Sequence, residues 1–209
     1  MKKFLFSTFI LFGLSLQADL STDGLNAYKI GDYQKARELF TQACDAGDAQ
    51  SCYNAGYLYE NANGLKTDYK KSSELYSKAC KGGSISGCSN LGVMYEYEKG
   101  VKRDHLTAAR LYSKACDAGD SFTGCFNLAV MYYKGRGVKK NYFKAKELYV
   151  KSCNANNSIG CYNLAKMYER GKGVRQDKSR AKELHGVACD KGNGDGCSRY
   201  RRLNEEGVK

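Results

Sequence analysis

Residues 114–138 read KACDAGDSFTGCFNLAVMYYKGRGV and set Cys116 and Cys125 on either side of a turn too short to hold a further element. The arrangement recurs along the chain. Cysteines fall at 44 and 52, 80 and 88, 116 and 125, 153 and 161, and 189 and 197, and the first of each pair returns after 36, 36, 37 and 36 residues. A fixed period of this size marks a chain built from one supersecondary unit used repeatedly, so it decides the architecture before any local feature does.

Aligned on the cysteines, each unit opens with one kind of segment. These are DYQKARELFTQAC from Asp32, DYKKSSELYSKAC from Asp68, DHLTAARLYSKAC from Asp104, NYFKAKELYVKSC from Asn141 and DKSRAKELHGVAC from Asp177. The leading Asp or Asn accepts from the free amides of a first helical turn. Apolar or small residues follow at helical spacing, as in Ala36, Leu39, Phe40 and Ala43, or Ala145, Leu148, Tyr149 and Ser152. This segment is helix A of each unit.

Three residues beyond the first cysteine stand Gly47, Gly83, Gly119, Asn156 and Gly192, residue types that tolerate the left-handed backbone that ends a helix. Next come Asp48, Ser84, Asp120, Asn157 and Asn193, all good N-caps. A stop and a start thus sit side by side, and the second cysteine falls in the first turn or so of the next helix. The two thiols are then close enough to bond. Helix B follows as CYNAGYLYE from Cys52, CSNLGVMYE from Cys88, CFNLAVMYY from Cys125 and CYNLAKMYE from Cys161. Gly56, Gly92, Ala129 and Ala165 hold one position in it, where a neighbouring helix can approach closely. A glycine-bearing loop (NGLKTD, KGVKRD, GRGVKKN, GKGVRQD) leads to the next N-cap, and the chain has no proline.

A two-helix unit of this length cannot bury its apolar face alone and depends on stacked neighbours. The expected architecture is therefore all-α: one solenoid domain over 19–209, with a cap helix at about 22–31. Its units cover about 32–67, 68–103, 104–140, 141–176 and 177–209.

The first residues, MKKFLFSTFILFGLSLQA, run from Lys2 and Lys3 through an apolar stretch to Ala18, the order of a cleavable export signal over 1–18. The apolar stretch is too short to span a bilayer comfortably, so no transmembrane segment is expected. Export places the chain in the periplasm or the medium, where an even number of regularly spaced cysteines reads as a disulfide framework. Zinc sites are the competing reading. They are disfavoured by seven or eight residues between paired thiols, and by a complement of two histidines, His105 and His185. Neither a metal nor a cofactor is expected.

The formal charge is +12 and is unevenly spread. Residues 19–100 hold 9 basic and 11 acidic side chains, whereas 101–209 hold 23 and 11. In an exported chain such a half points away from nucleic acid and toward anionic surface polymers, acidic proteins or lipid headgroups. A merely solvated Lys/Arg face that keeps the chain in solution is the alternative, and it is the reading preferred for this charge.

The run GxGV…D…KAxELYxKAC…GCxNLAxMY resembles the Sel1-like repeat, a relative of the tetratricopeptide repeat. With a cysteine pair in every unit and an export signal, the chain is similar to the Helicobacter cysteine-rich proteins over roughly residues 22–205. The resemblance implies a right-handed α/α superhelix stapled by one disulfide per repeat: Cys44 with Cys52, Cys80 with Cys88, Cys116 with Cys125, Cys153 with Cys161, and Cys189 with Cys197. It also implies two functional attributions. One is penicillin binding with weak β-lactamase activity, with a β-lactam or peptidoglycan-like ligand. The other is secretion for interaction with a protein or peptide partner, including one on the host side.

For the first, a serine β-lactamase needs Ser-x-x-Lys with Ser-Asp-Asn and Lys-Thr-Gly elements. Ser179 and Lys182 supply the first on one helical face; the other elements are missing, and the pair sits at variable repeat positions. For the second, Asn54, Asn90, Asn127 and Asn163 recur two residues after the second cysteine. An amide both donates and accepts, so such a row suits the backbone of an extended peptide, or else each asparagine bonds its own inter-helix loop. Tyr59, Tyr95, Tyr132 and Tyr168 read as packing residues, and Arg199, Arg201 and Arg202 as either a carboxylate clamp or a polar end cap. The leading expectation is a secreted or periplasmic binding scaffold, with the β-lactamase as alternative.

Overall fold

The computed structural model describes residues 19–61 and 65–209. The expected export signal at 1–18 lies outside the described residues, as does the centre of the first glycine loop. Among the described residues every regular element is an α-helix, and no strand occurs. The chain forms two compact units that divide after Asp104. Unit 1 contains α1 (residues 19–29), α2 (Tyr33–Asp45), α3 (Ala49–Asn61), α4 (Tyr69–Lys81) and α5 (Ile85–Tyr97). Unit 2 contains α6 (His105–Asp117), α7 (Gly124–Lys134), α8 (Tyr142–Asn154), α9 (Ser158–Arg170), α10 (Lys178–Asp190) and α11 (Gly194–Glu205).

Even-numbered helices are the A helices, and local capping fixes where they begin. Asp32, Asp68, Asn141 and Asp177 each accept from the backbone amide three residues on, satisfying a donor that the helix cannot. The A helices end with positive φ at Gly47, Gly83, Gly119, Asn156 and Gly192, which turns the chain back at once. Ser84, Asn157 and Asn193 then cap the B helices α5, α9 and α11 in the same way.

Each turn is closed covalently. The five disulfides join Cys44–Cys52, Cys80–Cys88, Cys116–Cys125, Cys153–Cys161 and Cys189–Cys197, with Cα atoms 4.5–4.6 Å apart, and no cysteine is free. On the chain-entropy account a loop of this size contributes about 2.5 kcal/mol per bridge.

The one irregular turn carries the extra residue before Cys125. Residues 121–123 form turns, and α7 begins at Gly124 with Thr123 at its N-cap making no side-chain bond. Asp120 instead accepts from the amides of both Thr123 and Gly124, at 2.9 Å each. The carbonyl of Phe122 in this turn accepts from Asn157 Nδ2 at 2.7 Å, so the following inter-helix turn holds the insertion in place.

Packing in each unit follows the repeat. One A-helix register holds Phe40, Tyr76, Tyr112, Tyr149 and His185, all buried. Burial of an apolar side chain of this size, such as Phe40, contributes roughly 1.5–3 kcal/mol. Gly56 shows why small residues recur on the B helices. Ser72 of α4 donates to its carbonyl at 2.8 Å, and a Cβ on Gly56 would stand 2.9 Å from the Tyr76 ring. The backbone carbonyls of Tyr59, Tyr95, Tyr132 and Tyr168 accept from the next N-cap residues Asp68, Asp104, Asn141 and Asp177 at 2.9–3.1 Å. These tyrosines are half-buried, and Arg37 lies 4.8 Å from the ring centroid of Tyr59.

Candidate binding face

The B helices carry the four asparagines, all half-buried. In unit 1 Asn54 lies on α3, where its Oδ1 accepts from Gln50 Nε2 at 3.1 Å. It borders a cleft of about 240 Å³ lined by Leu25, Tyr28, Phe40, Tyr53 and Tyr57. Asn90 on α5 hydrogen-bonds the hydroxyls of Tyr53 and Tyr76, and Tyr76 in turn donates to Glu60 Oε2 at 3.0 Å. Glu60 Oε1 receives Lys99 Nζ at 3.0 Å. The result is a chain of donors and acceptors in which an amide serves a phenol, and the phenol serves a carboxylate held by a lysine. Burial, together with the Glu60 charge, pushes the Tyr76 hydroxyl far above the ordinary phenol value and keeps it a neutral donor.

In unit 2 the pattern returns with different termini. Asn163 on α9 bonds the hydroxyl of Tyr149 on α8, whose ionisation burial likewise suppresses. Asn127 occupies the same register on α7, and Arg199 takes it on α11. At this repeat position an asparagine is expected to meet a ligand's backbone or its own inter-helix loop. Asn90 and Asn163 engage tyrosine hydroxyls, Tyr76 and Tyr149 on the preceding A helices and, for Asn90, also Tyr53 on the B helix α3. The signal was present in Tyr76 and Tyr149, which hold one A-helix register, but the apolar face there reads simply as core. Each amide that donates once to a phenol keeps its carbonyl and a second N–H.

The final A helix substitutes His185 for the buried tyrosine. Its ring packs on Tyr162 with centroids 5.3 Å apart, and Nε2 lies 3.5 Å from Glu169 Oε2. Nδ1 is buried without a partner. Burial lowers the His185 pKa below its ordinary value, against a smaller opposing pull from Glu169. Glu169 Oε1 also meets Arg199 Nη1 at 3.3 Å and Arg202 Nη2 at 3.5 Å.

Ser179 and Lys182 lie in the first turns of α10, and each donates elsewhere. Ser179 Oγ hydrogen-bonds the Lys209 carbonyl, and Lys182 Nζ bonds the Val208 carbonyl, fastening residues 208–209 against the helix. Among the described residues no three or more His, Cys, Asp or Glu side chains gather as a metal ion would require. Nor is any helix there long and apolar enough to cross a membrane.

The Sel1 repeat model matches residues 16–48, 49–84, 85–120, 123–157 and 158–193. In that phase the matches 49–84, 123–157 and 158–193 each hold a B helix and the A helix that follows it, and the disulfides lie at the junctions. Among solved structures, c5321 is similar with a TM-score of 0.85 and 30% identity over 92% of this chain and 42% of that one. It is a protective antigen of uropathogenic Escherichia coli with an SLR fold. A Sel1 repeat protein of Oxalobacter formigenes matches with a TM-score of 0.80 and 26% identity, over 86% of this chain and 73% of that one. HcpE of Helicobacter pylori, provisionally named a beta-lactamase, is 42% identical over 43 residues. That match takes in 21% of this chain and 12% of HcpE, so the chain spans less than half of c5321 and a small part of HcpE. Five matching repeats, all-helical architecture and a disulfide in every period place the chain in the Sel1 repeat family, as a cysteine-rich member on a scaffold suited to protein–protein interaction.

Proposed function

We propose that the chain is an exported, disulfide-stapled scaffold that binds extended protein segments along the asparagine-bearing faces of its units. Asn54 and Asn90 serve in unit 1, and Asn127 and Asn163 in unit 2. The observation that carries this reading is the attachment of Asn90 and Asn163 to buried tyrosine hydroxyls. An amide oriented by a phenol loses less freedom when it meets a ligand's backbone; Asn163, which serves one phenol, keeps an N–H and its carbonyl for a peptide, and Asn90, which serves two, keeps its carbonyl. Export supports the reading from the other side. Five closed disulfides are the chemistry of an oxidising compartment, and a scaffold that works there gains from being cross-linked.

The β-lactam alternative rests on Ser179 and Lys182, each of which hydrogen-bonds a backbone carbonyl of residues 208–209. The scaffold reading is the better supported. Its test is selection of random linear peptides displayed on phage against the oxidised protein, repeated on a variant with all four asparagines changed to alanine. Selected peptides should bind the parent and lose at least tenfold on the variant, with its melting temperature lowered by a few degrees at most. Equal binding to both would overturn it.

A further inference from the structure

Unit 2 concentrates cations on the asparagine-bearing face of its last two B helices. Asn163, Lys166 and Arg170 follow one another on α9 at intervals of three and four residues, which puts them on one side of the helix. One period later the same registers on α11 hold Arg199 and Arg202 in place of Asn163 and Lys166.

The acids present do not balance them. Glu169 is shared by Arg199 and Arg202 through a single oxygen, and its other oxygen faces His185. Glu206 takes Arg202 Nε at 3.4 Å and Lys178 at 3.6 Å. Lys166 has no carboxylate within 4.0 Å among the described residues; its ammonium lies 5.0 Å from the centroid of the Tyr162 ring, and Arg170 is likewise unpaired. Burial first, then the charges of Arg170 and Arg199, weaken the hold of Lys166 on its proton, against smaller pulls from Glu169 and Asp195. The corresponding place in unit 1 is balanced, with Glu60 facing Lys99 and a neutral phenol.

We propose that this face of unit 2, formed by Lys166, Arg170, Arg199 and Arg202 beside Asn163, binds the carboxylates of an acidic extended protein segment. The proposal rests on the scaffold reading above and narrows its partner. Glu169 provides an internal precedent, since one of its carboxylate oxygens already contacts both Arg199 and Arg202. Each guanidinium has five N–H donors and commits one or two of them here, so the remainder are available to a second carboxylate. A ligand carboxylate would also relieve the mutual repulsion that half-buried Lys166 and Arg199 feel from each other and from the exposed Arg170 and Arg202. The Asn163 amide then meets the backbone between acidic side chains, which favours a polypeptide over a phosphate polymer.

The experiment uses fluorescein-labelled hexaglutamate on the oxidised full chain, with hexaserine, hexalysine and a heparin oligosaccharide compared. Lys166→Gln/Arg170→Gln is the decisive variant, because neither side chain is in an ion pair that the fold uses. Lys139→Gln/Lys140→Gln, in an exposed loop, removes the same charge elsewhere. Hexaglutamate should bind, the first variant should weaken it about tenfold, and the loop variant should change it less than twofold. Equal loss in both variants, no binding of hexaglutamate, or preference for heparin would overturn the assignment. Selected phage peptides that lack acidic residues yet depend on Asn163 would also overturn it, while leaving the scaffold reading intact.

Discussion

His185 stands against Glu169, with Nε2 3.5 Å from Oε2, in the register where Tyr76 donates to Glu60 at 3.0 Å in unit 1. A titratable ring thus replaces a phenol at a fully buried position, with Tyr162 beneath it and Lys166, Glu169 and Arg199 in electrostatic range.

The replacement makes stability depend on acid. Because burial lowers its pKa in the folded chain, His185 takes up a proton more readily once unfolded. Its contribution is complete above the ordinary histidine value near 6.5 and is lost as pH falls through the lowered folded value. Denaturant melts between pH 7.5 and 5 should show this decline in the parent and a flatter profile in His185→Tyr. A profile unchanged by the substitution would remove His185 as its source.

Glu98 ends α5 in the left-handed region at φ 61°, where Gly135 and Gly171 end α7 and α9. A side chain there costs about 1 kcal/mol relative to glycine, and the ion pair of Glu98 with Arg103 at 3.4 Å is exposed and screened. Glu98→Gly should therefore raise unfolding stability by roughly 0.5–1 kcal/mol in chemical denaturation.

Two glycines separate backbone strain from collision. Gly192 has φ +84° with open space around its absent Cβ, whereas at Gly137, φ +65°, a Cβ would stand 2.0 Å from the His105 carbonyl oxygen. Gly192→Ala should cost about 1 kcal/mol and Gly137→Ala more than about 3 kcal/mol. Similar losses in both melts would contradict the contact between the glycine loop and the start of α6.

Removing one bridge, as in Cys80→Ser/Cys88→Ser, should lower stability by about 2.5 kcal/mol. Peptide mapping without reductant should return the five within-turn links of the structure. A link between different turns would refute the pairing.

What the sequence made legible is what each period states again. Asp32, Asp68, Asn141 and Asp177 announce helix starts, and Gly47 and its equivalents announce stops, because caps act over three or four residues of the same strand of chain. The cysteine pairs were legible for the same reason. Contacts that join helices were not. The tyrosine partners of Asn90 and Asn163 depend on how a B helix lies over the preceding A helix, and local pattern does not encode that. Ser179 and Lys182 matched a short motif, yet their partners lie at Val208 and Lys209, far along the chain. At the inserted residue, local chemistry pointed to Asp120 as the N-cap; the turn at 121–123 moved the helix start to Gly124 while Asp120 still served its amides.

The central claim is that the asparagine amides are the contact groups. It is tested most directly by following the side-chain NH2 resonances of the isotopically labelled, oxidised protein while a phage-selected peptide is titrated in. The account predicts that the Asn90 or Asn163 amide signals move in proportion to occupancy, with the Cys80–Cys88 and Cys153–Cys161 turns unperturbed. Saturable binding that leaves all four asparagine amides in place and shifts signals on other surfaces would contradict it.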